Sequence, residues 1–158
     1  MNQHHYNVTV TWTGNRGTGT AGYKSYGRDH SVEIIGKPVI KASADPAFRG
    51  DPAKHNPEEL FLASLSSCHM LWYLHLCADR GITVLEYSDE AKGMMETDEN
   101  GSGMFSSVTL NPHIVIAKND YRTLASELHR EANKMCFIAN SCNFPVDHEV
   151  TIRVRNTQ

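Results

Sequence analysis

Hydrophobic and polar positions alternate with a period of two near the start of the chain. Tyr6, Val8, Val10 and Trp12 fall on one side and Asn7, Thr9, Thr11 and Thr13 on the other, which predicts a strand over residues 6–12. The glycine-rich stretch 14–19 predicts a turn. Two more extended runs, 30–35 and 38–42, flank Gly36-Lys37 and predict an antiparallel meander, followed by a polar loop over 43–55. At Asn56-Pro57-Glu58-Glu59 the period changes. Asn56 suits a helix cap, Pro57 the first turn, and the two carboxylates the positive end of the helix dipole. The helix should run to about Arg80 and stop at Gly81. Its apolar residues point around most of the circumference, so burial on nearly every side is expected. Residues 82–95 and 104–117 are long extended runs joined by a polar loop over 96–103, which predicts a second hairpin. A helix then starts at Asn119 or Asp120 with Leu124, Leu128, Ala132, Met135 and Cys136 on its inward stripe, and residues 146–154 alternate as a final strand.

The order β-β-β-α-β-β-α-β predicts an α+β fold, and the first helix carries more apolar surface than one sheet of this size can cover. A second subunit would supply the cover. At 158 residues the length fits one domain, 1–158, and 40% hydrophobic with 21% charged residues is the composition of a folded protein. A formal charge of −3 offers no basic field for phosphate backbones, so small molecules are expected as partners rather than nucleic acid. No apolar segment follows the polar first residues, and the stretch 60–78 is broken by Ser64, Ser66, Ser67, His69 and His75. Neither a secretory signal nor a membrane span is therefore expected, and the expected location is the cytoplasm.

Four cysteines, Cys68, Cys77, Cys136 and Cys142, are too sparse for the stapling of small secreted domains and are expected as thiols. Cys77 lies half a turn around from Cys68 and about 13 Å along the axis, out of its reach, and is expected in the core. No local pair of the Cys-x2-Cys or His-x3-His kind is present, so no metal site is expected. A buried cysteine without context is a small hydrophobe; a nucleophilic one needs a cation beside it, and His69 points about 100° away from Cys68.

Asn56-Pro57-Glu58-Glu59-Leu60-Phe61, followed at a fixed distance by Cys68, closely resembles the signature of the OsmC/Ohr hydroperoxide reductases. Residues 132–139, Ala-Asn-Lys-Met-Cys-Phe-Ile-Ala, resemble that family's second cysteine segment, and Trp12-Thr13-Gly14-Asn15-Arg16-Gly17-Thr18-Gly19 its N-terminal strand and turn. The resemblance implies an OsmC-like fold, with antiparallel sheets around a buried central helix in an intertwined homodimer. It implies Cys68 as the peroxidatic thiol, Cys136 as the resolving one, Arg16 as the activating cation and Glu58 as the residue that orients the arginine. It further implies a hydroperoxide as substrate, a lipoylated protein or a small thiol as reductant, and no cofactor; Phe61, Met70, Trp72 and Tyr73 near Cys68 are expected to make an apolar mouth that prefers organic hydroperoxides to hydrogen peroxide. Glu58 and Cys68 share one helix, about 15 Å apart along its axis, so a compact cluster of the two with an arginine needs residues from two chains. The sequence departs from the pattern where Phe137 and Ala139 stand in place of proline and serine, which leaves Cys142 a competitor for the resolving role. Arg28 and Arg49 compete with Arg16, their bland role being ion pairs with Asp29 and Asp51. The rival reading is a non-peroxidatic dimer that binds a small hydrophobic ligand in its inter-subunit cleft, with Cys68 merely lining it.

Overall fold

The computed structural model describes residues 2–155 and divides into two compact units, Met1–Phe61 and Leu62–Gln158. In the first unit β1 (Thr9–Trp12), β2 (His30–Glu33) and β3 (Ile40–Ala42) form the expected antiparallel meander, with Thr9 opposite Glu33 and His30 opposite Ala42. Gly14 and Gly27 back onto each other below it. The Gly27 N–H donates to the Gly14 carbonyl at 2.8 Å, and a Cβ on Gly14 would stand 2.0 Å from the Gly27 oxygen, so only glycine fits. The Trp12 indole N–H closes the same corner by donating to the Gly27 carbonyl.

The first helix, α1 (Pro57–Asp79), starts where the capping residues place it. The Glu59 N–H donates to Asn56 Oδ1 at 2.8 Å, and the Asn56 N–H donates to Glu59 Oε2 at 3.2 Å. These reciprocal bonds satisfy two backbone donors that the helix leaves open. Asn56→Ala is therefore expected to lower stability by about 1 kcal/mol, read as a fall in the urea midpoint; an unchanged midpoint would show that solvent caps the helix equally well. At the other end Gly81 takes a left-handed φ of 70°, and the Ile82 N–H returns to the Cys77 carbonyl at 2.8 Å.

In the second unit the long hairpin is present but bent. Residues 82–95 divide into β4 (Val84–Asp89) and the start of β5 (Lys92–Thr97); residues 104–117 divide into β6 (Gly103–Leu110) and β7 (Pro112–Ile116). The final run likewise divides into β8 (Val146–His148) and β9 (Thr151–Val154). All three break at one level, so that β4-β7-β9 and β5-β6-β8 become separate sheets. Each is an antiparallel pair, β4 with β7 and β5 with β6, extended by a parallel strand. The bend has a local cause. Pro112 has no N–H to give a ladder, the Asn111 N–H donates to Asp89 Oδ1 at 2.7 Å, and the Asn111 side-chain amide donates to the Glu90 carbonyl.

Helix α2 (Arg122–Met135) begins one 3-10 turn (Asn119–Tyr121) later than the expected start. Its buried face is Ala125, Leu128, His129 and Ala132, continued by Cys136; Met135 is exposed, contrary to the expected stripe, which His129 joins instead. Tyr73 and Cys77 of α1, Ile114 and Ile116 of β7, Ile152 of β9 and Leu128 and Ala132 of α2 make one core. Burying each large aliphatic side chain there contributes about 1.5–3 kcal/mol. Within the chain α1 buries one stripe, Leu65, His69, Tyr73 and Cys77, and leaves Leu71 62% exposed, so burial on nearly every side is not met by these residues alone. By length and composition α1 could also cross a membrane, so its serines and histidines do not by themselves exclude a span; its one buried stripe packs into this core.

Candidate functional site

Helix α1 carries Cys68, half-buried, beside the buried His69. Cys136 stands just past the end of α2, where its extended backbone (φ −68°, ψ 111°) stops the helix and leaves it 1% exposed. The two thiols are hydrogen-bond partners. Burial first, and then the bond to Cys68, push the Cys136 thiol up to about 11, so near neutrality it holds its proton. The Ala139 N–H donates to Cys136 Sγ at 3.4 Å.

The segment that departs from the family pattern is held by hydrogen bonds of its own. The Asn140 N–H donates to the Cys136 carbonyl at 3.0 Å, its side-chain amide donates to the Lys134 carbonyl, and the Ser141 hydroxyl donates to the Phe137 carbonyl. Phe137 meets Trp72 of α1 edge to face at 5.6 Å. The Cys142 thiol donates to the Ile138 carbonyl at 3.2 Å and is thus engaged within its own loop. Cys77 is 1% exposed, in the core. All four cysteines are free thiols.

Arg16 and Glu58 both belong to the first unit. Arg16 is exposed; its guanidinium lies beside Gly27, and its charge helps hold the Asp29 carboxyl below the usual range, after the larger effect of the hydrogen bond from Lys54. Glu58 has one buried carboxylate oxygen, Oε2, with no hydrogen-bond partner among the described residues. The ion pairs expected of the competing arginines do not form as expected: Lys54 takes both acids, Asp29 at 2.6 Å and Asp51 at 3.2 Å. Arg28 instead donates to the Tyr26 and Tyr23 carbonyls and lies over both rings, at 4.1 and 4.5 Å from their centres. Arg49 closes the 3-10 turn Pro46–Phe48 with a φ of 68°.

Tyr73, one of the aromatic residues near Cys68 in sequence, is fully buried and stacks on His129 at 3.8 Å, so it lines no mouth. His129 Nδ1 lies 2.9 Å from His69 Nε2, and the His148 ring is 5.7 Å from that of His69. Sequence reasoning missed this cluster, although the four-residue spacing of Leu65, His69, Tyr73 and Cys77 was legible as one face. Among the described residues no group of three or more histidines, cysteines or carboxylates is arranged to hold a metal.

A family model described as OsmC-like protein matches residues 50–151. An OsmC-like protein of unknown function from Vibrio cholerae is similar in structure with a TM-score of 0.83 and 33% identity, over 94% of this chain and 99% of that one. An organic hydroperoxide resistance protein OsmC from Legionella pneumophila shares the fold with a TM-score of 0.68 at 20% identity, over 96% and 100%. In sequence the chain is 22% identical to the uncharacterised protein YmaD of Bacillus subtilis, over 98% of this chain and 97% of that one.

Proposed function

The chain belongs to the OsmC-like family, and from that premise we propose that it is a thiol-dependent hydroperoxide reductase in which Cys68 is the peroxidatic and Cys136 the resolving cysteine. The observation that carries the reading is the contact between the two thiols, one half-buried and reachable, the other buried and protonated. The Cys68 thiolate attacks one peroxide oxygen; an S–O bond forms, the O–O bond breaks, and an alcohol leaves after protonation. Cys136 then displaces hydroxide from the sulfenic sulfur, its own proton completing a water molecule and an S–S bond joining the pair. A dithiol, lipoylated or small, returns both to thiols in the cytoplasm.

Four features support the remaining parts. The unmatched buried oxygen of Glu58 is the acceptor that an arginine fork satisfies. Arg28 is committed to two carbonyls and two rings, which favours Arg16 as that arginine. Val10 and Trp12 share one face of β1, Val8 precedes it, and the three are 62%, 43% and 58% exposed; in the second unit Leu71 is 62% exposed, and each is apolar surface that a second copy would cover in a homodimer. The family match crosses the boundary between the two units, in keeping with one OsmC-like domain over 1–158.

Mass spectrometry after one equivalent of cumene hydroperoxide tests the reading. The expected result is a loss of two hydrogens and a peptide cross-link between Cys68 and Cys136, formed faster than with hydrogen peroxide. An unmodified protein would refute the reductase and favour the ligand-binding dimer, whereas faster reaction with hydrogen peroxide would refute the preference for organic substrates.

A further inference from the structure

We propose that His69 and His129 are positioning residues for disulfide closure: their buried hydrogen bond sets the stagger of α1 against α2 and so keeps Cys68 within reach of Cys136. The inference rests on the thiol-peroxidase reading and concerns only its second step, in which S–S forms, S–O breaks and water leaves.

The placement of the pair is its first support. His69 is the residue after Cys68, and His129 lies two helical turns before Cys136, about 10 Å back along α2. The two rings, 1% and 0% exposed, lie nearly parallel at 5.3 Å and are joined Nε2 to Nδ1 at 2.9 Å. The aliphatic part of the core around these helices, Leu128 and Ala132 with Ile114, Ile116 and Ile152, is apolar packing that has no preferred direction. A hydrogen bond in a dry interior does have one. If α1 slid along α2, two more polar atoms would lose their partners where no water replaces them.

The second support is what the pair leaves unmet. Whichever ring donates, the outer atoms, His69 Nδ1 and His129 Nε2, are one donor and one acceptor without partners among the described residues. Two aliphatic side chains would fill the space without such atoms, so packing alone does not account for two histidines here. The titratable neighbours are Tyr73 on α1, stacked on His129, and His148 on β8, on which Asp147 and Arg130 act; Cys77 and Tyr87 act on Tyr73. Burial first, and then neighbouring histidines, hold both rings neutral near pH 7, so the bond is shared by two uncharged rings.

The test follows sulfenic acid formation and disulfide closure separately in the full chain, by rapid quenching and mass spectrometry with cumene hydroperoxide and a dione that traps sulfenic acid. In His129→Leu the first step is expected to stay within about twofold of the unsubstituted chain, while closure slows on the order of tenfold to a hundredfold, as small misplacements of reacting groups do. Trapped Cys68 sulfenic acid should rise accordingly. His129→Gln, whose amide can still bond His69, is expected to recover part of the rate. The double variant His69→Leu/His129→Leu separates positioning from mere stability: it should regain the melting temperature lost in the single variant but not the closure rate. Closure at the unsubstituted rate in the double variant would overturn the inference and leave the reductase standing. Failure of the unsubstituted chain to oxidise Cys68 would overturn the reductase reading itself.

Discussion

Cys68→Ser is expected to abolish hydroperoxide consumption, by at least about a thousandfold, or about 4 kcal/mol of activation free energy. A serine hydroxyl at this position has neither the thiolate's nucleophilicity nor a base to activate it. Cys136→Ser should behave differently. Its first turnover proceeds, Cys68 gains one oxygen, and the reaction stops because no second sulfur displaces hydroxide from the sulfenic acid. Cys142→Ser should cycle normally, since the Cys142 thiol is turned to its own loop at the Ile138 carbonyl. Peroxide assays with the three variants decide the assignment: a Cys142→Ser protein arrested after one turnover, beside a Cys136→Ser protein that cycles, would exchange the roles of the two cysteines.

The second large effect is loss of stability in mild acid. Burial lowers His69 to about 4 and His129 to about 3 in the folded chain, while in the unfolded chain each takes its proton near 6.5. Between those values the unfolded state binds more protons, so stability falls as pH falls, beginning near 6.5 and continuing to about 4 for His69 and about 3 for His129. Each such histidine contributes about 1.4 kcal/mol per pH unit, so the pair removes on the order of 5 kcal/mol between neutrality and pH 4.5. That is comparable with the whole stability of an ordinary domain. Urea unfolding at a series of pH values measures it. The His69→Leu/His129→Leu protein should lack most of this slope, and an undiminished slope in that variant would assign the acid sensitivity to other groups.

Much of the fold was legible in advance because it depends on neighbours in the chain. The capping pair Asn56 and Glu59 sits three residues apart, and its bonds form where the sequence places them. The pairing of β2 with β3 follows from alternation and turn residues within a few positions, whereas that of β1 with β2 spans residues 13–29. The bend that cuts three expected strands into six had only local marks in the sequence, Pro112 and the polar run Ser88-Asp89-Glu90, and neither says which distant strand is cut at the same level. What marks it is a bond from the Asn111 backbone to Asp89, 22 residues away, and another from Glu149 to Leu110. Cys68 stood out through its spacing from Asn56-Pro57-Glu58, whereas His69 looked only like a poor activator. Its partner His129 lies 60 residues on, and nothing periodic connects them.

By itself, then, the sequence determined where α1 begins and ends, which runs extend, and which cysteine stands in the family's motif, since caps, periodicity and spacing act through local backbone geometry. Only the tertiary structure decided that Cys136 rather than Cys142 meets Cys68, that Lys54 rather than the arginines takes Asp29 and Asp51, and that two histidines face each other in the core. Those outcomes depend on how elements distant in the chain are brought together by burial, a force without direction that leaves the choice of polar partners to the final packing.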